Sequence, residues 1–207
     1  TSVSGLPGAR LSFMEILFIL GYPTRSRGGI ENAALSYAKG LASRGHSISV
    51  VFNHDGELVS EYQAFCRSVI VLNRAGAFAK LAILILKRWW AGGSFVYGHQ
   101  ANHIFRMWLL AKLTRSRLVL HVHLPPPEQA SLTMRLGLRG GDRFIFVSAS
   151  TLQLWDQQIG IDLGRASVVR NGVDTGRFAP SADFLSRKRV FDLSSDCRVI
   201  VFVGRLD

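Results

Sequence analysis

The sequence predicts a doubly wound α/β domain built on a parallel sheet, and three observations predict it. Short apolar runs recur along the chain, most are continuous in Val, Ile and Leu rather than alternating, and amphipathic stretches of ten or more residues separate several of them. A strand covered on both faces needs apolar side chains on both sides. A parallel neighbour needs a long return path, so the combination points to helices on both faces of one sheet, joined by right-handed crossovers.

The elements follow in order. A first strand is expected at Ile16–Leu20, then a turn through Gly28 and Gly29 into a helix from Ile30 to Arg44. Ile30, Ala33, Ala34, Tyr37, Ala38 and Leu41 share one face of that helix, and Gly45 is placed to end it. Further strands are expected at Ile48–Phe52, Val69–Leu72, Phe95–Tyr97, Leu118–Val122, Phe144–Val147 and Val168–Val169, with helices at Phe78–Trp90, Asn102–Arg115 and Ser150–Gln158. Residues 1–13 read as an extension with little structure and 14–178 as a Rossmann-like domain. Residues 179–197 read as a linker with a short basic helix around Arg187, Lys188 and Arg189, and 198–207 as the first strand of a second domain. Both ends read as cut, so the chain is expected to be a fragment of a longer protein.

Composition narrows the function classes. With 207 residues and 48% apolar content, the chain can bury a full core. Its aliphatic run Leu81 to Leu86 is far shorter than the ~20 residues that span a bilayer. Cys66 and Cys197 have neither metal-type nor disulfide-type spacing, which fits a reducing compartment, and neither reads as catalytic. The formal charge is +11, and from Tyr62 to Pro127 there are nine basic residues and no acidic one. Such a field favours an anionic partner: a membrane surface, a nucleic acid or a phosphorylated substrate. A plain solvated face explains it equally well.

The turn at Gly28-Gly29 has a phosphate-binding layout. A helix start offers unpaired N–H groups and a positive dipole end, and glycines let an anion approach the backbone closely. A tight strand-to-helix turn needs the same glycines for geometry alone. The histidines His99, His103, His121 and His123 include a His-x-His pair, but no cysteine or carboxylate joins them at ligand spacing, so no metal is assigned. Side chains two apart on a strand point the same way, so His121 and His123 both qualify for a cleft. The helix Phe78–Trp90 has a wide apolar arc, with Lys80 and Lys87 on the remaining side. That suits either a bilayer interface or ordinary packing against the sheet.

Taken together, Ile16-Leu17-Phe18-Ile19, Gly28-Gly29-Ile30-Glu31, Arg44-Gly45-His46, Val96-Tyr97-Gly98-His99, His123, Phe146-Val147-Ser148, Asn171-Gly172-Val173-Asp174 with Arg177-Phe178, and Val203-Gly204-Arg205-Leu206 resemble the retaining glycosyltransferases of family 4 in order and spacing. That resemblance implies the GT-B fold, of which this chain is the acceptor-side half. It implies transfer of a sugar from a nucleotide-diphosphate donor to the hydroxyl of a glycan or lipid-linked acceptor, with retention, in cell-surface polysaccharide or glycolipid synthesis. The departing phosphate is then expected to help deprotonate the acceptor.

By the same resemblance Gly28, Gly29 and Arg205 contact the donor diphosphate and His123 the donor sugar, while Glu31, His99 and His121 are possible substrate contacts. Asn171, Gly172 and Asp174 are read as a structural junction. The family commonly has Thr where His121 stands and Pro where Arg170 stands. A lysine beyond Leu206 and paired glutamates of the second domain are implied but lie past Asp207, so the chain by itself is expected to be inactive. No cofactor, metal or nucleic acid is expected, and a cytoplasmic location on the inner face of the cell membrane is.

Two other classes fit less well. A dinucleotide-dependent oxidoreductase needs Gly-x-Gly-x-x-Gly between Gly21 and Gly29, which is missing, and Asp55 comes three residues late for a ribose contact. A nucleic-acid-binding module needs a basic stripe with interleaved aromatics, which is also missing.

Overall fold

The computed structural model describes residues 13–24, 29–92, 95–176, 179, 188, 190–194 and 196–200. Its element order is β1 (Glu15–Leu20), α1 (Gly29–Ser43), β2 (Ser47–Phe52), α2 (Val59–Gln63), β3 (Ser68–Val71), α3 (Ala77–Ala91), β4 (Phe95–Gly98), α4 (Ile104–Leu113), β5 (Arg117–Val122), α5 (Leu132–Gly140), β6 (Arg143–Phe146), α6 (Ala149–Ile159) and β7 (Ala166–Val168). Seven strands form one sheet in the order β3-β2-β1-β4-β5-β6-β7. Every pairing is parallel. The expected doubly wound sheet is therefore present, and its strand order reverses between β1 and β4. Ligands of such sheets bind outside the carboxyl ends of the strands at that reversal.

Strand alternation divides the core between the two faces. Ile16 and Phe18 of β1 pack with Ile48, Val50 and Phe52 of β2 and with Leu35 and Ala38 of α1. Leu17 points the other way, into a cluster with Val96, Leu118, Leu120, Val122, Met107 and Phe144. Because Leu118, Leu120 and Val122 all serve this second face, His121 between them belongs to the α1 side.

All seven strands lie within a residue or two of their predicted places, and α1 ends as expected at Gly45, whose φ is +86°. Two helices went unpredicted. Val59–Gln63 is too short to show a period. Leu132–Gly140 contains Gly137 and ends on Gly140, which read as breakers. In the fold Gly137 is a packing residue: a Cβ there would lie 2.8 Å from the Phe105 backbone nitrogen, so its lack of side chain lets α5 meet α4. Ser131 caps α5 by accepting from the Met134 N–H, and Ser148 caps α6 by accepting from Thr151.

The helix expected over Asn102–Arg115 differs at both ends. Ala101–His103 form a 3₁₀ turn ahead of α4, and Arg115 takes a left-handed φ of 51° beyond it.

Helix α3 reverses the usual burial. Its Arg88 is 2% exposed, whereas Phe78 and Trp90 are 74% and 80% exposed. The Arg88 guanidinium reaches the amino ends of three strands. Its Nη2 donates to the carbonyls of Glu15 and Phe95 and to Ser116 Oγ, and Nη1 lies 3.7 Å from the Glu15 carboxylate.

The chain divides into two compact units, Thr1–Asn171 and Gly172–Asp207. In the second, Asp174 accepts from the Gly176 N–H in a local turn and Lys188 donates to the Cys197 carbonyl. Lys188 and Val190 are the described helical residues of the expected basic segment. Of the expected final strand, residues 198–200 carry no strand and 201–207 lie outside the described residues. No helix among the described residues is long and apolar enough to cross a membrane.

Candidate functional site

The reversal between β1 and β4 gathers most of the predicted residues. Tyr97 and His99 on β4 and its end, and His121 and His123 on β5 and its end, all face α1. The register that pairs Tyr97 with Val119 and Gly98 with Leu120 brings His99 level with His121. Ring centroids are 5.5 Å apart for His99 and His121, 4.9 Å for His99 and His123, and 4.3 Å for His121 and His123. Tyr37 of α1 covers them, its ring 5.3 Å from that of His121.

Hydrogen bonds tie the cluster together. His99 Nδ1 lies 2.8 Å from His123 Nε2, and Tyr97 Oη lies 2.6 Å from His121 Nδ1. The Nε2 atoms of His99 and His121 are buried without a partner among the described residues. Burial pulls His121 and His123 down to about 4, with the neighbouring His123 adding to the effect on His121. Burial, then the other two imidazoles, drive His99 well below the ordinary histidine range. All three rings are therefore neutral at pH 7, each offering one N–H and one lone pair.

Beside the cluster, a small pocket with a cavity volume of about 20 Å³ opens among Gly21, Tyr22, Glu31, His99 and Gln100, over an apolar floor that includes Phe52 and Leu58. Glu31 Oε2 is buried there with no hydrogen-bond partner among the described residues. Glu31 sits in the first turn of α1, where the helix dipole also favours a carboxylate. Gly29 is the first residue of that helix, and a Cβ at this position would meet no described atom within 4 Å. Gly28 and Arg205 lie outside the described residues, as do Arg177 and Phe178.

Asn171 accepts a 2.6 Å hydrogen bond from the Tyr37 hydroxyl, which anchors the end of the first unit to α1. The division of the chain falls between Asn171 and Gly172. Tyr37 and Gln100 were given no site role from sequence, and Tyr97 stood there only within the Val96-Tyr97-Gly98-His99 motif. Tyr37 read only as part of a buried helix face, and the pairing of Tyr97 with His121 depends on the β4–β5 register.

Asp55 is accounted for without a ribose: Arg74 donates to both its oxygens, at 2.7 and 2.8 Å, and holds its carboxyl below the usual range. The Cys66 thiol is pushed up to about 12 by burial, which leaves it a poor nucleophile.

Fold and site define a doubly wound α/β domain with a small pocket at the reversal of strand order, lined by His99 and by Ile30 and Glu31 of the first turn of α1, beside the histidine cluster. The sequence model of Glycosyltransferase Family 4 matches residues 27–177, and the chain belongs to that family. Solved structures of similar fold include Anabaena HepE in complex with UDP, with a TM-score of 0.65 and 20% identity over 86% of this chain and 50% of that one. A glycosyltransferase from Rickettsia africae superposes with a TM-score of 0.68 at 18% identity, over 89% of this chain and 51% of its own. Sucrose-phosphate synthase from Thermosynechococcus elongatus gives 0.65 at 19% identity, over 94% and 56%. The chain thus spans about half the length of the structures it resembles. A search of curated proteins returns no match.

Proposed function

We propose that this chain is the acceptor-side half of a retaining, hexosyl-type glycosyltransferase that moves a sugar from a nucleotide-diphosphate donor to a hydroxyl of a glycan or lipid-linked acceptor. The observation that carries the reading is the convergence, at the strand-order reversal of a family 4 domain, of the His99-His121-His123 cluster with the Glu31 pocket. Support for a nucleotide-sugar donor comes from HepE, which was solved with UDP and with UDP-glucose. The unpaired Glu31 oxygen and the lone pairs of neutral imidazoles suit hydroxyl groups, which sugars supply in number.

In this reading His123 hydrogen-bonds the donor sugar and the N-terminus of α1 faces the diphosphate. The leaving phosphate oxygen takes the acceptor proton as the new glycosidic bond forms on the same face. No side-chain base in this half is needed, which accords with a His123 too weakly basic to hold a proton at pH 7. The test is His123→Ala in the full-length enzyme. Turnover should fall about 100-fold or more, as when an oriented transition-state donor is removed, while calorimetric donor affinity stays within a few-fold. Unchanged turnover removes His123 from the site.

The reading includes work at the anionic inner face of the cell membrane, in cell-surface glycan or glycolipid synthesis. Its support is α3, where Phe78, Ile83, Leu86 and Trp90 are exposed beside Lys80 and Lys87. An exposed apolar face flanked by lysines fits the boundary between headgroups and acyl chains.

A further inference from the structure

The three imidazoles also have the makings of a metal centre. His121 and His123 are a His-x-His pair on one strand face, and His99 stands beside them on the neighbouring strand. With one nitrogen taken from each ring, the three ligand atoms all lie within 4.8 Å of one another. A tetrahedral zinc ion with Zn–N distances of about 2.0–2.1 Å needs its nitrogens about 3.3 Å apart. The 2.8 Å pair of His99 and His123 must open slightly and the widest pair must close. Both adjustments fall to the side chains, because the sheet fixes the backbone of the strands that carry the rings.

The hydrogen bond to Tyr97 allows the tautomer this requires of His121. When His121 donates from Nδ1 to Tyr97 Oη, its lone pair lies on Nε2, the atom that is buried and otherwise unpartnered. A donor bond of this kind behind a ligating imidazole fixes ring orientation and raises ligand basicity. The 2.8 Å bond between His99 Nδ1 and His123 Nε2 holds one proton, and ligation through both atoms moves that proton to the other nitrogen of the ring that carries it. Three neutral nitrogens without a carboxylate favour Zn²⁺, Co²⁺ or Ni²⁺ over Mg²⁺, Ca²⁺ or Mn²⁺.

We propose that His99, His121 and His123 bind one divalent transition-metal ion of the zinc type, with a fourth position open to water. The site does not require the sugar-transfer reading, but it shares His123 with it. Because His123 belongs to both, the ion and the donor sugar compete for it, and zinc acts as an inhibitor wherever the donor binds.

The experiment uses tag-free full-length protein stripped with a chelator, titrated with zinc by calorimetry and with Co²⁺ by visible absorption. The expected result is one ion per chain with micromolar or tighter affinity and an intense four-coordinate cobalt spectrum. His123→Ala and His121→Gln should each weaken binding about tenfold or more, whereas His54→Ala, which alters an exposed histidine stacked on Tyr22, should not. Urea melts of each variant establish that it is folded, and if His121→Gln is not, the half-buried His123 decides alone. Absence of heat and of a visible band up to millimolar metal, or binding that His123→Ala leaves unchanged, overturns the proposal.

Discussion

Replacing Arg88 by Met tests whether the reversed burial of α3 anchors the sheet that carries the site. Arg88 is 2% exposed and serves the first residues of β1 and β4 and the residue before β5. Methionine keeps much of the length but removes this donor from the Glu15 and Phe95 carbonyls, while the Glu15 carboxylate loses only its more distant cation and keeps Arg67 at 2.8 Å. Each buried acceptor that loses its donor costs about 1–3 kcal/mol, whereas the lost 3.7 Å ion pair adds little because Arg67 still neutralises Glu15. Against that, burial already pulls the guanidinium pKa down, opposed by Glu15, so removing the charge recovers some desolvation penalty. The net expectation is a loss of about 3 kcal/mol, or roughly 6–12 °C in Tm for a domain of this size. Urea denaturation followed by tryptophan fluorescence, with thermal melts alongside, measures it. Arg88→Lys should fall between wild type and Arg88→Met. A loss under about 1 kcal/mol, or a gain, would refute the reasoning, because it would mean that apolar filling replaces the guanidinium without penalty.

Acid should unfold the domain through its histidines. An imidazole whose folded value of about 4 lies below the ordinary 6.5 binds its proton in the unfolded chain first, so its stabilisation is complete above pH 6.5 and is lost as pH falls toward 4. For His121 the loss by pH 5 is about 2 kcal/mol; urea midpoints at pH 7.5 and 5 should show it, His121→Gln should flatten the difference, and equal slopes in both proteins would contradict a buried neutral ring. Full-length protein should float with vesicles containing anionic lipid at low salt and less at high salt, since each basic residue near the surface contributes about 1 kcal/mol. Ile83→Asp and Leu86→Asp in α3 should abolish flotation, and failure of the unaltered protein to float at either salt would end the membrane proposal.

The sheet was legible because strands buried on both faces must be apolar throughout, and runs such as Ile48–Phe52 have few alternatives. Helix α1 was legible from its period and from Gly45. What stayed hidden depended on partners distant in sequence. The glycine at 137 signals a break locally and becomes a helix residue only because α4 passes within reach of its backbone. In the sequence Arg88 is only one of the nine basic residues between Tyr62 and Pro127, and only the amino ends of β1, β4 and β5 make it a core residue. The same holds at the site. His121 and His123 were paired by alternation along one strand, but His99 joins them through the β4–β5 register, which a sequence does not display. Glu31 entered only as a possible substrate contact implied by the resemblance, and its unpaired oxygen emerged only with the walls of the pocket.

The charge of the chain and the neutrality of its cleft divide the work of binding. A formal charge of +11 raises the local concentration of any anionic ligand, but it acts at long range and is screened by salt. Burial keeps His99, His121 and His123 uncharged at neutral pH, so they are poor counterions for a diphosphate. They are good partners for hydroxyls, or for a metal that needs neutral nitrogens. In the proposed reaction the diphosphate therefore relies on backbone dipoles at the start of α1 and on cations elsewhere, while the imidazoles meet the sugar. This is why His123→Ala should lower kcat and leave nucleotide affinity nearly intact. A variant that lost nucleotide binding in proportion to turnover would instead place the phosphate against the imidazoles, which their suppressed protonation argues against.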